Sequence, residues 1–409
     1  MPGTFRDRKG YQWMIIAGLF LVLVVSWGIV FNSMSVFVTP IQEELGTTRS
    51  VMIINMLIRG AASVAASVAA GSMVDRFGTL RIMRLASVIL ILSFLALSFI
   101  RSVPQYLILS FFQVSATIFL GFIPVSVVVN SWFPGRNAGV MGLAYMGSGI
   151  GGMLFNYLGG RWISLYGWRD TVLIMGALMA VVLIPVVFII LRMRSRSHVM
   201  IGQTGSEEGM TLEEALKTRT MWMIMLSFVI VAITLGGMVN NLTPAFQDLG
   251  YSLTDAALIT SLVMVSMSIG KILIGKIFNI TGLRVGSLLA NLFLMLPLLG
   301  LIMGRSSFGV MAVILGFFLG GSFASMSVPM ITDGLFGRKD FSRISGYKQA
   351  AFNIGNVIAP LIMSPLYSLT GSYRSAWILF TGLMCLNFVI YFKYLPTRSA
   401  EKERFKVQT

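Results

Sequence analysis

Lys271 lies in a long apolar run, Ser252 to Phe278, whose one carboxylate, Asp255, stands at the far end. Arg59 repeats the anomaly in the first half of the chain, between Glu44 and Asp75. Lys348 is a third cation inside an apolar stretch. A bare cation at membrane depth costs roughly 2.5–3.5 kcal/mol on insertion scales, and ionisable groups held there mark ligand or ion pathways. With no acid beside it in its own run, such a cation points to a ligand that brings the counter-charge, hence to anion handling. Other chemistries lack their residues. One cysteine, Cys385, and one histidine, His198, exclude a disulfide framework and a metal-ligand cluster. No nucleophile–base pair falls within the apolar runs, so neither an enzyme nor a cofactor is expected.

The elements that hold these cations are membrane spans. Of the 409 residues, 56% are hydrophobic and only 11% charged, with mean hydropathy +0.84; soluble domains carry about 25% charged residues. Apolar runs of about 20 residues cross a bilayer as helices. Twelve are read here, roughly 13–40, 50–74, 82–100, 104–131, 138–160, 168–191, 220–246, 254–278, 284–304, 307–332, 345–369 and 375–395. Met1 to Gly10 is basic, but the apolar run after it passes Val38 without a small-residue cleavage site, so the first span reads as uncleaved.

The net charge of +16 would suit nucleic acid, but its distribution describes topology. With the N-terminus inside, most Lys and Arg fall on cytoplasmic segments, including Arg192, Arg194, Arg196, Lys217 and Arg219. Arg49, Arg101, Arg161, Arg169, Arg305 and Arg374 fall on the other side. Both termini are therefore expected in the cytoplasm, and no nucleic-acid partner is expected. Three domains follow: an N-terminal six-helix bundle over 1–192, a linker over 193–218, and a C-terminal bundle with a basic tail over 219–409. In the linker, Thr211-Leu-Glu-Glu214 has capping-box form and predicts a short surface helix, Leu212 to Lys217.

Landmarks recur half a chain apart. Pro40-Ile-Gln-Glu-Glu-Leu-Gly46 answers Pro244-Ala-Phe-Gln-Asp-Leu-Gly250, and Gly71, Asp75 and Gly78 answer Gly275, Asn279 and Gly282. Arg136 and Gly139 answer Arg343 and Gly346; Gly167-Trp-Arg169 answers Ser372-Tyr-Arg374. Six spans per copy make this a parallel repeat, an architecture that puts the ligand near the midplane between halves that rock.

On these residues the chain resembles the major facilitator superfamily along its whole length. Gly71, Asp75, Arg76, Gly78 and Arg81 look like that superfamily's loop signature between the second and third spans, a cytoplasmic gating latch that Gly275, Asn279 and Gly282 repeat with the acid lost. The implied fold is all-α and polytopic, with twelve transmembrane helices in two pseudo-symmetric six-helix bundles. Ser33-Met-Ser-Val-Phe37 with Pro40, Ser131-Trp-Phe-Pro134, Tyr166-Gly-Trp-Arg169 and Thr211-Leu-Glu-Glu-Ala215 resemble the monocarboxylate transporter and oxalate–formate antiporter group.

That resemblance implies roles. In the group, a cation four residues before the eighth-span signature glycine binds the substrate carboxylate; here it is Lys271, a point charge in place of a bidentate fork. Lys271 lies about 12 Å from Asn279 at 1.5 Å per residue, a long reach for snorkelling. Met267 stands where proton-coupled members carry an aspartate, so anion exchange, or entry with the substrate's own proton, fits better than a side-chain relay. Phe352 takes the place of an eleventh-span lysine; Lys348, one turn earlier, is either a snorkelling or gate-lining group or a direct contact. Arg59 is either a second anion contact or half of an outer gate. Cavity positions implied by the fold are Asn32 and Ser33, Gln113 and Thr117, Thr234 and Asn240, and Ser322 and Ser325, with Tyr145 and Phe352 bracketing the ligand. For each of these, interhelical hydrogen bonding or packing is the competing reading.

The expected protein is a secondary transporter of a small organic anion, foremost a monocarboxylate. It would work as a monomer in a prokaryotic cytoplasmic membrane, exchanging a counter-anion or moving a proton. A broad-specificity exporter of amphipathic or neutral compounds is the alternative on the same fold. A transporter-like membrane sensor is a remote one.

Overall fold

A computed structural model describes residues 9–133, 138–193 and 209–397. Pro134, Arg136, Arg194, Arg196 and His198 lie outside the described residues, as do the side chains of Arg49 and Ser325. The described chain is helical apart from one isolated backbone bridge, Gly209 to Gly337. It forms two compact units, Met1–Thr204 and Gly205–Thr409.

In the first unit, α1 (Lys9–Trp27) runs into a π-turn over Gly28–Asn32 and then α2 (Ser35–Glu44). Next come α3 (Arg49–Phe77), α4 (Thr79–Ala96), α5 (Val103–Phe119), α6 (Phe122–Trp132) and α7 (Ala138–Ile184), closed by a π-turn at Pro185–Ile190. The second unit holds the short α8 (Leu212–Leu216), α9 (Arg219–Asp248), α10 (Leu253–Thr281) and α11 (Leu283–Ile302). It continues with α12 (Ser307–Gly316), a π-turn at Phe317–Gly321, α13 (Ser322–Phe336), α14 (Phe341–Thr370) and α15 (Arg374–Tyr394).

Eleven helical segments among the described residues are long and apolar enough to cross a membrane. One of them, Ala138–Ile190, has 53 residues, about 80 Å of helix against a hydrocarbon core of about 30 Å. It bends at Gly167, where φ is 80°. That break makes two crossings of it, and the twelve expected spans are accounted for. Two spans differ from the sequence reading in being interrupted. The first is divided at Ser33 and Met34, where the π-turn ends. The fourth is divided at Leu120 and Gly121, because Pro124 has no N–H to offer the carbonyl of Leu120 and so weakens the ladder there.

The half-chain repeat survives as geometry. Gly46 and Gly250 both take positive φ (59° and 85°), and their N–H groups donate to Glu43 O and Gln247 O respectively. Gly78 and Gly282, at φ 87° and 81°, turn α3 into α4 and α10 into α11; a side chain there would be strained, which is why both copies keep glycine. Packing repeats too. In membranes helices associate by close approach rather than by a hydrophobic drive, so small residues mark the seams. A Cβ on Gly151 of α7 would lie 2.1 Å from Val24 O of α1, and one on Gly355 of α14 would lie 2.4 Å from Val229 O of α9.

The capping box at α8 forms as expected: Thr211 Oγ1 accepts from the Glu214 N–H, and the Thr211 N–H donates to Glu214. The Leu212 N–H also donates to Asp340, which fixes this helix against the start of α14. The Thr211 bonds hold the Glu214 carboxyl below its ordinary range.

Candidate functional site

In the second unit, Lys271 is only 6% exposed on α10. The acid of that helix, Asp255, is occupied at its N-terminus, where Ser252 caps the helix and bonds the carboxylate. Along α10 the two charges are about 24 Å apart. The depth of Lys271 is set by its neighbour. A Cβ on Gly270 would fall 1.6 Å from Phe318 O and 2.4 Å from Ser322 Oγ. α10 therefore lies directly on the π-turn between α12 and α13. Ser322 fastens the seam by donating to the carbonyls of Met267 and Phe318. Gly270 escaped the sequence reading, although a glycine beside the buried cation, facing a Gly-rich stretch at Gly316, Gly320 and Gly321, was a usable signal.

Lys348, expected as a snorkelling or gate-lining group or a direct contact, lies early in α14. Its side chain is fully buried, with Nζ 3.2 Å from Thr332 Oγ1 and 4.3 Å from the centre of the Phe336 ring. Snorkelling is excluded because α13 covers the ammonium. Phe352 is partly buried against the apolar core of this unit. Asn240 is exposed on α9, and Thr234 is fully buried with a hydroxyl that has no partner among the described residues.

In the first unit, Arg59 reaches from α3 to the π-turn of the first span. Its Nη2 donates to Val30 O at 2.6 Å, and its guanidinium stands 6.0 Å from the centre of Phe31. Nη1 is buried and has no partner among the described residues. Phe31 stacks on Trp27 at 4.4 Å, Trp27 meets Phe122 at 4.4 Å, and Phe122 meets Tyr145 at 4.7 Å. The result is an aromatic column with a guanidinium at one end and a phenol at the other. Phe31, Trp27 and Phe122 are partly exposed. Sequence reasoning missed these three rings because aromatics are common in lipid-facing helices.

The polar candidates of this unit divide into two groups. Ser33, Gln113 and Thr117 are fully buried and spend their donors on Gly28 O, Ser93 O and Gln113 O. Tyr145 is fully buried and donates to Phe122 O. Asn32 is exposed, and its amide donates to Ser148 O across to α7. Gln113, Tyr145 and Asn32 thus donate between helices and Ser33 and Thr117 within their own, while Asn32 alone among them keeps an open face.

The expected gating residues cluster at two turns. Gly71, Asp75 and Arg76 lie in the last turns of α3, Gly78 makes the turn and Arg81 begins α4; Asp75, Arg76 and Arg81 are exposed. Gly275, Asn279 and Gly282 hold the matching places at α10 and α11. At the opposite end of the first unit, Glu44 bridges Arg169 at 2.7 Å and accepts from Trp168, and Arg169 also donates to Ser98 O and Ile100 O. Arg169 holds the Glu44 carboxyl below its ordinary value, with Trp168 assisting.

Comparison with known proteins fits this build. The sequence profile of the Major Facilitator Superfamily matches residues 19–333 and 238–409. FucP, solved in an outward conformation, superposes with a TM-score of 0.73 at 14% identity, over 95% of this chain and all of that one. A single-site variant of the E. coli fucose:proton symporter FucP gives 0.65 at 13% identity, over 95% and 97%. At such identities the likeness is one of fold. A stretch of 58 residues is 34% identical to the riboflavin transporter RibJ of Trypanosoma cruzi (strain CL Brener), covering 14% of this chain and 12% of that relative. Two helical units that share turn glycines and backbone seams, with a profile match across most of the sequence, have one explanation: the chain belongs to the Major Facilitator Superfamily of membrane transporters.

Proposed function

We propose that this transporter moves a small organic anion, foremost a monocarboxylate, by alternating access, with Lys271 as the principal cation for the substrate. The observation that carries the reading is Lys271 itself: a cation only 6% exposed inside a membrane-spanning helix. Arg59, with one buried amino group that has no partner among the described residues, is a second candidate anion contact, in the first unit. Lacking an acid at Met267, the protein exchanges anions or carries the substrate with its own proton. It works as a monomer in a prokaryotic cytoplasmic membrane with both termini inside. Uptake of labelled monocarboxylates into proteoliposomes tests the proposal. Lys271→Ala lowers initial uptake by roughly 100-fold, the scale expected when a carboxylate loses a charge-assisted partner of 1.5–3 kcal/mol and more. Equal uptake by this variant and the wild type sinks it.

One observation favours a second reading. The column of Phe31, Trp27 and Phe122 offers apolar edges that suit an amphipathic or neutral compound, and a riboflavin transporter shares a short similar stretch. Saturable transport of a neutral aromatic compound, unchanged in Lys271→Ala, would select that alternative.

A further inference from the structure

Between α3, α4 and α5 lies a cavity of about 330 Å³ whose lining is apolar but for the Ser115 hydroxyl. Small side chains of α3, Ala65 and Ala69, form its floor, and Leu85, Ile89, Phe111 and Phe112 form its walls. Leu85, Phe111 and Phe112 are exposed, so the groove opens outward. On α3 the groove-lining row ends at Met73, and the next turn on that face carries Arg76. On α4 the row begins at Ile82 and continues through Leu85 and Ile89; Arg81 precedes Leu85 by one turn on that face. Both rows therefore finish in exposed arginines at the turn around Gly78. Asp75 is the acid of this turn; Arg76, Arg81 and Arg84 outnumber it.

We infer that this groove binds an anionic phospholipid, its acyl chain lying along the alanines of α3 and its phosphate head between Arg76 and Arg81. The tail alone gives no selectivity, because bilayer hydrocarbon is as apolar as the groove. Preference comes from the head, where each arginine near the surface contributes about a fivefold enrichment of anionic over zwitterionic lipid. The alanine floor gives the tail a place to lie where leucines would fill the space. The groove includes neither Lys271 nor Arg59, so its failure leaves the anion reading untouched.

The test is lipid retention by the purified full-length protein, read by native mass spectrometry after exchange into mixed micelles of phosphatidylglycerol and phosphatidylcholine. The wild type should hold one phosphatidylglycerol in preference to phosphatidylcholine by an order of magnitude or more. Arg76→Gln with Arg81→Gln should abolish the preference, and Ala65→Leu with Ala69→Leu should lose the bound lipid of either kind. Monodisperse elution verifies folding; if the double leucine variant fails to fold, Ala65→Leu, at an exposed position, carries that arm. Equal retention of both lipids by the wild type, or undiminished phosphatidylglycerol on the leucine variant, overturns the inference.

Discussion

At the scale of single residues, three cations inside apolar helices have three different settings. Lys271 is nearly buried beside a glycine contact, Arg59 is half committed to a backbone carbonyl, and Lys348 is fully enclosed between Thr332 and Phe336. If Lys271 meets a carboxylate, Lys271→Arg keeps the charge and supplies a bidentate fork, so uptake survives within about tenfold, whereas Lys271→Ala loses it. Measured in proteoliposomes, recovery by arginine but not by methionine separates a charge requirement from a packing one. Lys348 answers to a different test. Removing an enclosed ammonium whose hydrogen-bond partner is the neutral Thr332 hydroxyl removes its desolvation cost, so Lys348→Met should hold or raise stability, by up to about 1–4 kcal/mol. A higher unfolding temperature with uptake retained assigns Lys348 to the scaffold; loss of uptake with the fold intact assigns it to the substrate.

At the scale of elements, glycine seams and one ionic latch decide how the helices meet. Gly270 lets α10 rest on the π-turn at Phe318, one residue from Lys271. Gly270→Ala must push α10 away or displace the Phe318 carbonyl, a strain on the order of 1–3 kcal/mol. It should lower the unfolding temperature and reduce uptake more than Gly139→Ala, whose Cβ meets nothing within 4 Å. Equal behaviour of the two variants would contradict a positioning role for this seam. The latch of Glu44 with Arg169 and Trp168 predicts a pH dependence. The folded carboxyl sits below the ordinary value of 4.5, so its contribution is fully present above that value and fades as pH falls through the folded one. Glu44 is 44% exposed, which keeps the contribution small through solvent screening. Between about pH 5 and pH 3 the wild type should lose more stability than Glu44→Gln; parallel melting curves for the two would rule out the latch.

At the scale of the whole molecule, the proposed topology has a direct check. Protease-cleavable tags at both ends should be cut in inside-out vesicles and protected in right-side-out ones; cleavage of one end alone would mean an odd number of crossings. Much of the fold was legible in the chain. Twelve apolar runs, basic segments on one side and a repeat of Gly46, Gly78 and their mates are one-dimensional signals, because a bilayer fixes helix length and a turn at positive φ fixes glycine. The capping box at Thr211 was equally local and formed as read. The candidate site was only partly legible. A charge in an apolar run identifies Lys271 and Arg59, but the partners of Arg59 lie on another helix: Val30 O within a π-turn, and Phe31 in a column with Trp27, Phe122 and Tyr145. Lys348 looked like a rim lysine by its distance along α14, and only the packing of α13 over it shows that it is enclosed. Sequence by itself determined the spans, the repeat and the identity of the buried cations, since those depend on hydropathy and local backbone preference. Tertiary structure decided what surrounds each of those cations, because that depends on which carbonyl, hydroxyl, ring or glycine a neighbouring helix brings against it.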